Sequence, residues 1–226
     1  SLRTLAPGAA ALAVTTVLVV AEPDLGSAAL LVVVAASMAF VAGLPLRMLA
    51  APVVVAVAGL GVAIVSSPYR MARVRAFFGP GGGTEAGWQA HQSIVALGSG
   101  GLVGRGYGDG LQKLFFLPEP HTDFIFAITG EELGLAGVLV LIGLAATITW
   151  RGLRVSSRLS DPVHGLIAFG LVFTFAAQSL IHMAVCLGLL PPKGIPLPLV
   201  SYGKTDLLVT LLSLGLVLNL SREVGR

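Results

Sequence analysis

Long apolar stretches alternate with short polar links along this chain. Residues 5–21, 25–43, 48–65, 124–150, 163–190 and 207–220 are built largely of Ala, Val, Leu, Ile and Gly. A helix rises about 1.5 Å per residue, and roughly 20 apolar residues cross a bilayer core, so each stretch predicts a membrane helix, the first and last being short. The runs are continuous rather than alternating, which suits helices and not barrel strands. The prediction is an all-α polytopic membrane protein of about six transmembrane helices. It forms a single transmembrane domain over residues 1–226.

Two interruptions break the pattern. Residues 191–206, PPKGIPLPLVSYGKTD, are rich in proline, which lacks the N–H and clashes with the preceding turn, so this link is not regular helix. Residues 66–122 form a far longer loop, and loops beyond about 15 residues are usually functional or disordered. Its aromatic residues, among them Tyr69, Trp88 and Tyr107, favour order. Within it, residues 88–97 (WQAHQSIVAL) predict a short amphipathic helix at the membrane interface. Residues 98–110 (GSGGLVGRGYGDG) predict a tight glycine turn.

Composition agrees with a membrane protein. Charged residues make up 11% of the chain, against roughly 25% in soluble domains. Mean hydropathy is +0.92. Cys186 is the single cysteine and forms no internal disulfide. No basic run points to nucleic acid, and no cleavable signal peptide is present. The opening SLRTLAPGAA leads directly into an apolar run, as expected of a chain cut from a longer one. Six helices put Arg47, the Arg151–Arg154–Arg158 link and Arg222 and Arg226 on one face. The positive-inside rule makes that face cytoplasmic if the short link outweighs the long loop. The opposite face then carries seven cations, Arg70, Arg73, Arg75, Arg105, Lys113, Lys193 and Lys204, against the rule. An anionic ligand such as a lipid phosphate would account for them.

The chemistry concentrates in residues 112–134, QKLFFLPEPHTDFIFAITGEELG. Ionisable groups at a membrane boundary are costly and mark functional candidates. Glu119, His121 and Asp123 read either as metal ligands or as an acid–base set. Asp123 is the sharpest candidate for a general base, since partial desolvation raises the basicity of a carboxylate. Arg70, Arg73 and Arg75 read as phosphate forks or as headgroup anchors. Glu131 and Glu132 read as helix-packing polar groups. Gln178 and His182, four apart on one helix face, read as interhelical hydrogen bonders. The glycine turn lacks G-x-G-x-x-G and a preceding strand, so it is not a nucleotide site. Gly203-Lys204-Thr205 fails as a phosphate loop because Pro198 stands where glycine is required.

Four motifs occur in order: EPDLGSA from Glu22, QSIVALGSGGLVGRGYG from Gln92, the 112–134 stretch, and GLLPPKGIPLPLVSYG from Gly188. Together they resemble the SEDS family of polytopic membrane proteins (FtsW, RodA and SpoVE), over nearly the whole chain from Ala21. The LPPKG run is most similar to the FtsW-like division and sporulation branch. The resemblance implies a ten-helix fold with a long extracytoplasmic loop, of which this chain supplies about six helices and lacks an N-terminal part. It implies a peptidoglycan glycosyltransferase that polymerises lipid II, with growing glycan on undecaprenyl pyrophosphate as donor. The family's essential aspartate falls on Asp123, as general base. The substrate-binding residues it implies are Arg70, Arg73, Arg75, Gln92, Ser93, Lys113, Glu119, His121, Thr122, Lys193 and Ser201. No metal ligands are assigned, although a divalent cation (Mg or Mn) would suit the pyrophosphate. The implied partners are a class B penicillin-binding protein transpeptidase and other divisome proteins, in the bacterial cytoplasmic membrane at the division septum. One departure stands out: the family's SYGGSS reads SYGKTD here, bringing in Lys204, Thr205 and Asp206. The alternatives are a lipid II flippase and an inactive fragment that serves as a division scaffold.

Overall fold

The apolar runs fold as helices. The structure is a computed structural model describing residues 2–22, 24–78, 85–114 and 117–224; the side chains of residues 2–7, 9, 69, 73, 76, 78, 85 and 86 lie outside the described set. Among the described residues there are eight α-helices, one short 3-10 turn and no strand. They fall into two compact units, Ser1–Pro68 and Tyr69–Arg226.

The first unit holds α1 (Leu2–Ala21), α2 (Leu25–Val41) and α3 (Leu46–Val65), each packed on the next. The EPDLGS motif has a local role there: Asp24 caps α2, its carboxylate accepting from the Ser27 N–H at 3.0 Å. Such a cap satisfies one of the helix's orphan donors.

The second unit holds α4 (Pro68–Phe78), α5 (Glu85–Ser99), a 3-10 turn at Gln112–Leu114, α6 (Ile125–Ser156), α7 (Pro162–Cys186) and α8 (Lys204–Ser221). The antiparallel pair α6 and α7 forms its centre, with α5 and α8 packed against both. A short link joins the pair, capped by Asp161, whose carboxylate accepts from the Val163 N–H at 2.7 Å, with Pro162 opening α7. His164 Nδ1 lies 2.9 Å from Glu223 Oε2 at this end, tying α7 to the chain after α8. The buried core lies at the opposite end. Phe124, Phe126, Ala127 and Ile128 at the head of α6 pack with Ala96 of α5, Met183, Val185 and Cys186 of α7, and Leu117 and Leu197 from the flanking loops.

Helices α3, α6, α7 and α8 are long and apolar enough to cross a membrane, whereas α2 and the apolar part of α1, Ala10–Ala21, are shorter. The chain is thus an all-α polytopic membrane protein. The long loop contains more regular structure than its sequence suggests. Residues 68–78, carrying three arginines, are helical. The amphipathic helix predicted at 88–97 runs from Glu85 to Ser99. It is not a purely interfacial helix, because Gln89, Gln92, Ser93 and Ala96 are buried within the protein, leaving Trp88, Ile94 and Val95 outside.

Candidate functional site

The site is built on a break in α6. Gly134, at φ 65° and ψ −162°, is non-helical inside an otherwise continuous helix. Only glycine adopts that conformation at little cost. The break releases backbone groups on both sides, and the glycine turn supplies their partners. The Arg105 and Gly106 N–H groups donate to the Glu131 and Glu132 carbonyls at 3.0 and 3.1 Å. The Leu135 and Ala136 N–H groups donate to the Gly101 and Leu102 carbonyls at 3.0 and 3.3 Å. Glycine is required for this close approach too: a Cβ on Gly104 would overlap the Glu132 carbonyl and sit 2.7 Å from the Gly134 nitrogen.

The side chains of the same two glutamates hold the next part of the turn. Glu131, 1% exposed, accepts from the Leu111 N–H at 2.9 Å and the Gln112 N–H at 3.1 Å. Arg105 Nη1 lies 3.8 Å from its Oε1. Glu132 accepts from the Gly108 N–H at 3.0 Å and from Lys113 Nζ at 2.6 Å. Two adjacent acids therefore fasten residues 105–113 to α6. Both stay polar groups used inside the protein, one of them, Glu132, paired with Lys113, but most of their partners are backbone N–H groups of the glycine turn rather than a facing helix.

From this anchor the chain runs to Asp123. Glu119 adopts a left-handed φ of 50°. Its carbonyl accepts from the Thr122 and Asp123 N–H groups at 3.3 and 3.1 Å, which makes a tight turn just before α6. Asp123 is half-buried there, beside the N-terminus of a long helix, where the helix dipole favours negative charge. The proline-rich link after α7 forms the facing wall. Ser201 Oγ donates to the Thr122 carbonyl at 2.7 Å and accepts from the Leu197 N–H at 2.7 Å. The Tyr202 N–H donates to the His121 carbonyl at 2.9 Å. His182, buried in α7, bonds through Nδ1 to the Ile195 carbonyl at 2.9 Å, so it ties α7 to the link that follows rather than to another helix. This wall faces the carboxylate across Gly194: a Cβ placed there would lie 3.5 Å from Asp123 Oδ2, in ordinary contact. The result is a half-buried carboxylate on a turn braced from both sides, the geometry a proton acceptor needs.

The sequence matches the family model for cell cycle proteins of the FtsW, RodA and SpoVE type over residues 1–225. The chain belongs to the FtsW/RodA/SpoVE family. It is 42% identical over 220 residues to a probable peptidoglycan glycosyltransferase FtsW of Geobacter metallireducens, covering 97% of this chain and 59% of that protein. It is 42% identical over 205 residues to the protein of the same description from Trichlorobacter lovleyi, covering 90% of this chain and 54% of that one. The chain thus spans little more than half the length of these relatives. Among solved structures it superposes on a chain from work on the structural coordination of polymerization and crosslinking by a peptidoglycan synthase complex. That match has a TM-score of 0.73 and 29% identity, covering 95% of this chain and 62% of the other. It also superposes on an aspartate-to-alanine mutant of the rod shape determining protein RodA from Thermus thermophilus, with a TM-score of 0.62 and 27% identity over 94% of this chain and 54% of that one.

The residues that the family resemblance nominates as substrate-binding separate into three groups. Glu119, His121, Thr122 and Ser201 lie on the Asp123 turn and its wall, and Lys193 adjoins Gly194 in that wall; Glu119 and His121 are exposed and Lys193 is half-buried. Arg70 and Arg75 stand on α4, half-buried and exposed respectively, while the Arg73 side chain lies outside the described residues. Gln92, Ser93 and Lys113 are committed to the protein itself. Ser93 is fully buried and donates to the Cys186 carbonyl at 2.8 Å, so it joins α5 to α7 and is corrected to a structural role. Gln92 is buried on the same helix. Lys113 is held by Glu132 and by the Gly108 carbonyl rather than presented to a ligand. Ser93→Ala is therefore expected to lower stability by about 1 kcal/mol, the net value of one hydrogen bond. It should leave the KM for any substrate unchanged, and an altered KM without a stability loss would return Ser93 to the substrate. Gly194 and Tyr202 were not singled out from sequence, because their contribution is through the backbone.

Proposed function

We propose that this protein is a peptidoglycan glycosyltransferase that polymerises lipid II, with Asp123 as the general base. The observation that carries the reading is the half-buried Asp123 carboxylate, on a braced turn at the head of α6 and facing the 191–203 link. The FtsW relatives, described as probable peptidoglycan glycosyltransferases, support the same chemistry. In this reading the acceptor is the 4-hydroxyl of the terminal sugar on lipid II. Its oxygen attacks the anomeric carbon of the donor glycan while Asp123 takes the proton. The bond to undecaprenyl pyrophosphate breaks, and the pyrophosphate oxygen leaves with the electron pair. Lys193, with Arg70, Arg73 and Arg75, offsets the charge on the pyrophosphate, an effect strongest in a site sheltered from water. Lys113 has no part in this, being paired to Glu132.

Among the described residues no three His, Cys, Asp or Glu side chains converge as a metal cage. A divalent Mg or Mn ion, in this proposal, is carried on pyrophosphate oxygens rather than by the protein. The partner is a class B penicillin-binding protein transpeptidase, which the match to a chain of a peptidoglycan synthase complex supports. The place of action is the bacterial cytoplasmic membrane at the division septum, together with other divisome proteins. The test is reconstitution of the full-length protein with its transpeptidase in vesicles containing fluorescent lipid II. Glycan polymer is the expected product. Movement of lipid II across the bilayer without polymer would replace this reading with the flippase. Recruitment of the transpeptidase with neither activity would replace it with the scaffold.

A further inference from the structure

We propose that residues 101–103, the tip of the glycine turn, form a re-entrant segment whose Leu102 and Val103 side chains lie among lipid acyl chains. The segment lies in the leaflet opposite the Arg151–Arg154–Arg158 end of α6.

Depth comes first. Residues 135–150 of α6 carry no charge, and Arg151 is the first cation beyond them. Sixteen residues at 1.5 Å each span about 24 Å, while a hydrocarbon core is about 30 Å thick. With Arg151 at one boundary, Gly134, seventeen steps away, lies roughly 4–5 Å inside the other. The turn is bonded to residues 131–136 on both sides of Gly134, so its tip shares that depth.

The exposed surface fits that depth. Leu102 is 73% exposed and Val103 84%, although their backbone is fixed to the helix. The backbone of Gly101 and Leu102 is bonded to Leu135 and Ala136, and Leu133, Leu135 and Leu139 are exposed on α6 itself, a helix apolar and long enough to cross a membrane. The tip therefore continues a lipid-facing surface. Non-helical backbone at membrane depth survives only where its polar groups have partners. Of the tip's own groups the Gly101 and Leu102 carbonyls have them, and so do the Gly104, Arg105 and Gly106 N–H groups that follow the tip. The nearby cations are matched as well, Arg105 by Glu131 and Lys113 by Glu132. Tyr107, the most exposed aromatic of the turn, follows a few residues later, where an interfacial anchor belongs.

The test is site-directed spin labelling of the full-length protein in vesicles of phosphatidylethanolamine and phosphatidylglycerol. The variants are Leu102→Cys, Val103→Cys, Tyr107→Cys and Leu139→Cys, each with the buried Cys186 replaced by alanine. Labels at 102 and 103 are expected to collide with oxygen and to be shielded from a water-soluble nickel chelate, like the label at 139. The label at 107 is expected to show intermediate access. Strong collision with the chelate at 102 and 103 would place the tip in water and overturn the proposal. Shielding from both reagents would mean that protein covers the tip, which overturns it equally. Two adjacent labels guard against one disturbing the turn, and the readout does not depend on the enzymatic reading.

Discussion

Asp123→Asn is expected to lower glycan polymerisation by about 10²–10⁴-fold, the range a positioned general base contributes. Asparagine keeps the size and shape of the side chain but replaces one acceptor oxygen by an NH2 donor and loses the charge and proton affinity. The turn around it is held by the Glu119 carbonyl, by Ser201 and by the Tyr202 N–H, and these bonds remain in the asparagine variant. The change should therefore fall on turnover, with lipid II binding and thermal stability close to wild type. Asp123→Glu is a stricter test. A Cβ on Gly194 would lie 3.5 Å from Oδ2, so the wall leaves room for about one methyl group there, and an added methylene shifts the carboxylate by about 1 Å along it. Misplacement of a reacting group by about 1 Å costs on the order of 10²-fold, so glutamate should rescue poorly despite its charge. Polymerisation of lipid II by full-length protein with its transpeptidase, alongside a binding measurement, reads both effects. Equal turnover in wild type and Asp123→Asn would remove Asp123 as the base.

Much of this architecture is legible in the sequence, and the part that is not has a common physical cause. Apolar runs locate the membrane helices because burial in lipid demands them, and all six predicted runs start within about three residues of an observed helix. Asp123 stands out because a carboxylate at a membrane boundary is costly without a purpose. The clamp at Glu131 and Glu132 leaves no comparable trace, since most of its partners are backbone N–H groups some 20 residues earlier. Backbone donors are the same for every residue type except proline, so no side-chain pattern announces them. The break at Gly134 is hidden for a similar reason: a glycine inside an apolar helix usually signals only close packing. Ser93 misleads in the opposite direction. The family resemblance nominates it for substrate contact, whereas here it satisfies the Cys186 carbonyl near the end of α7. Helix ends leave carbonyls without intrahelical partners, and a buried hydroxyl is an economical donor for one of them.

Gly104→Ala and Gly108→Ala together measure how firmly the glycine turn is seated in α6. Both glycines have left-handed φ values, 86° and 88°. Alanine in that conformation costs about 1–2 kcal/mol at either site. Only their surroundings differ. A Cβ at Gly108 meets nothing within 4 Å, whereas one at Gly104 would run into the backbone of Glu132 and Gly134. Those atoms have little room to yield, because the Glu131 and Glu132 carbonyls and the Leu135 and Ala136 N–H groups rely on the turn for their hydrogen bonds. Gly104→Ala is thus expected to lose about 2–5 kcal/mol, the backbone strain plus an overpacking penalty, and Gly108→Ala about 1–2 kcal/mol. Equilibrium unfolding in mixed detergent micelles gives the two values side by side. Once unseated, the turn leaves the break in α6 with unpaired backbone groups at membrane depth, where each costs several kcal/mol. The same variant should therefore loosen the 105–113 segment and, through it, the approach to Asp123. Equal losses at the two glycines would mean that the turn does not enter the break, and the bracing of the Asp123 turn would then rest on the 191–203 wall alone.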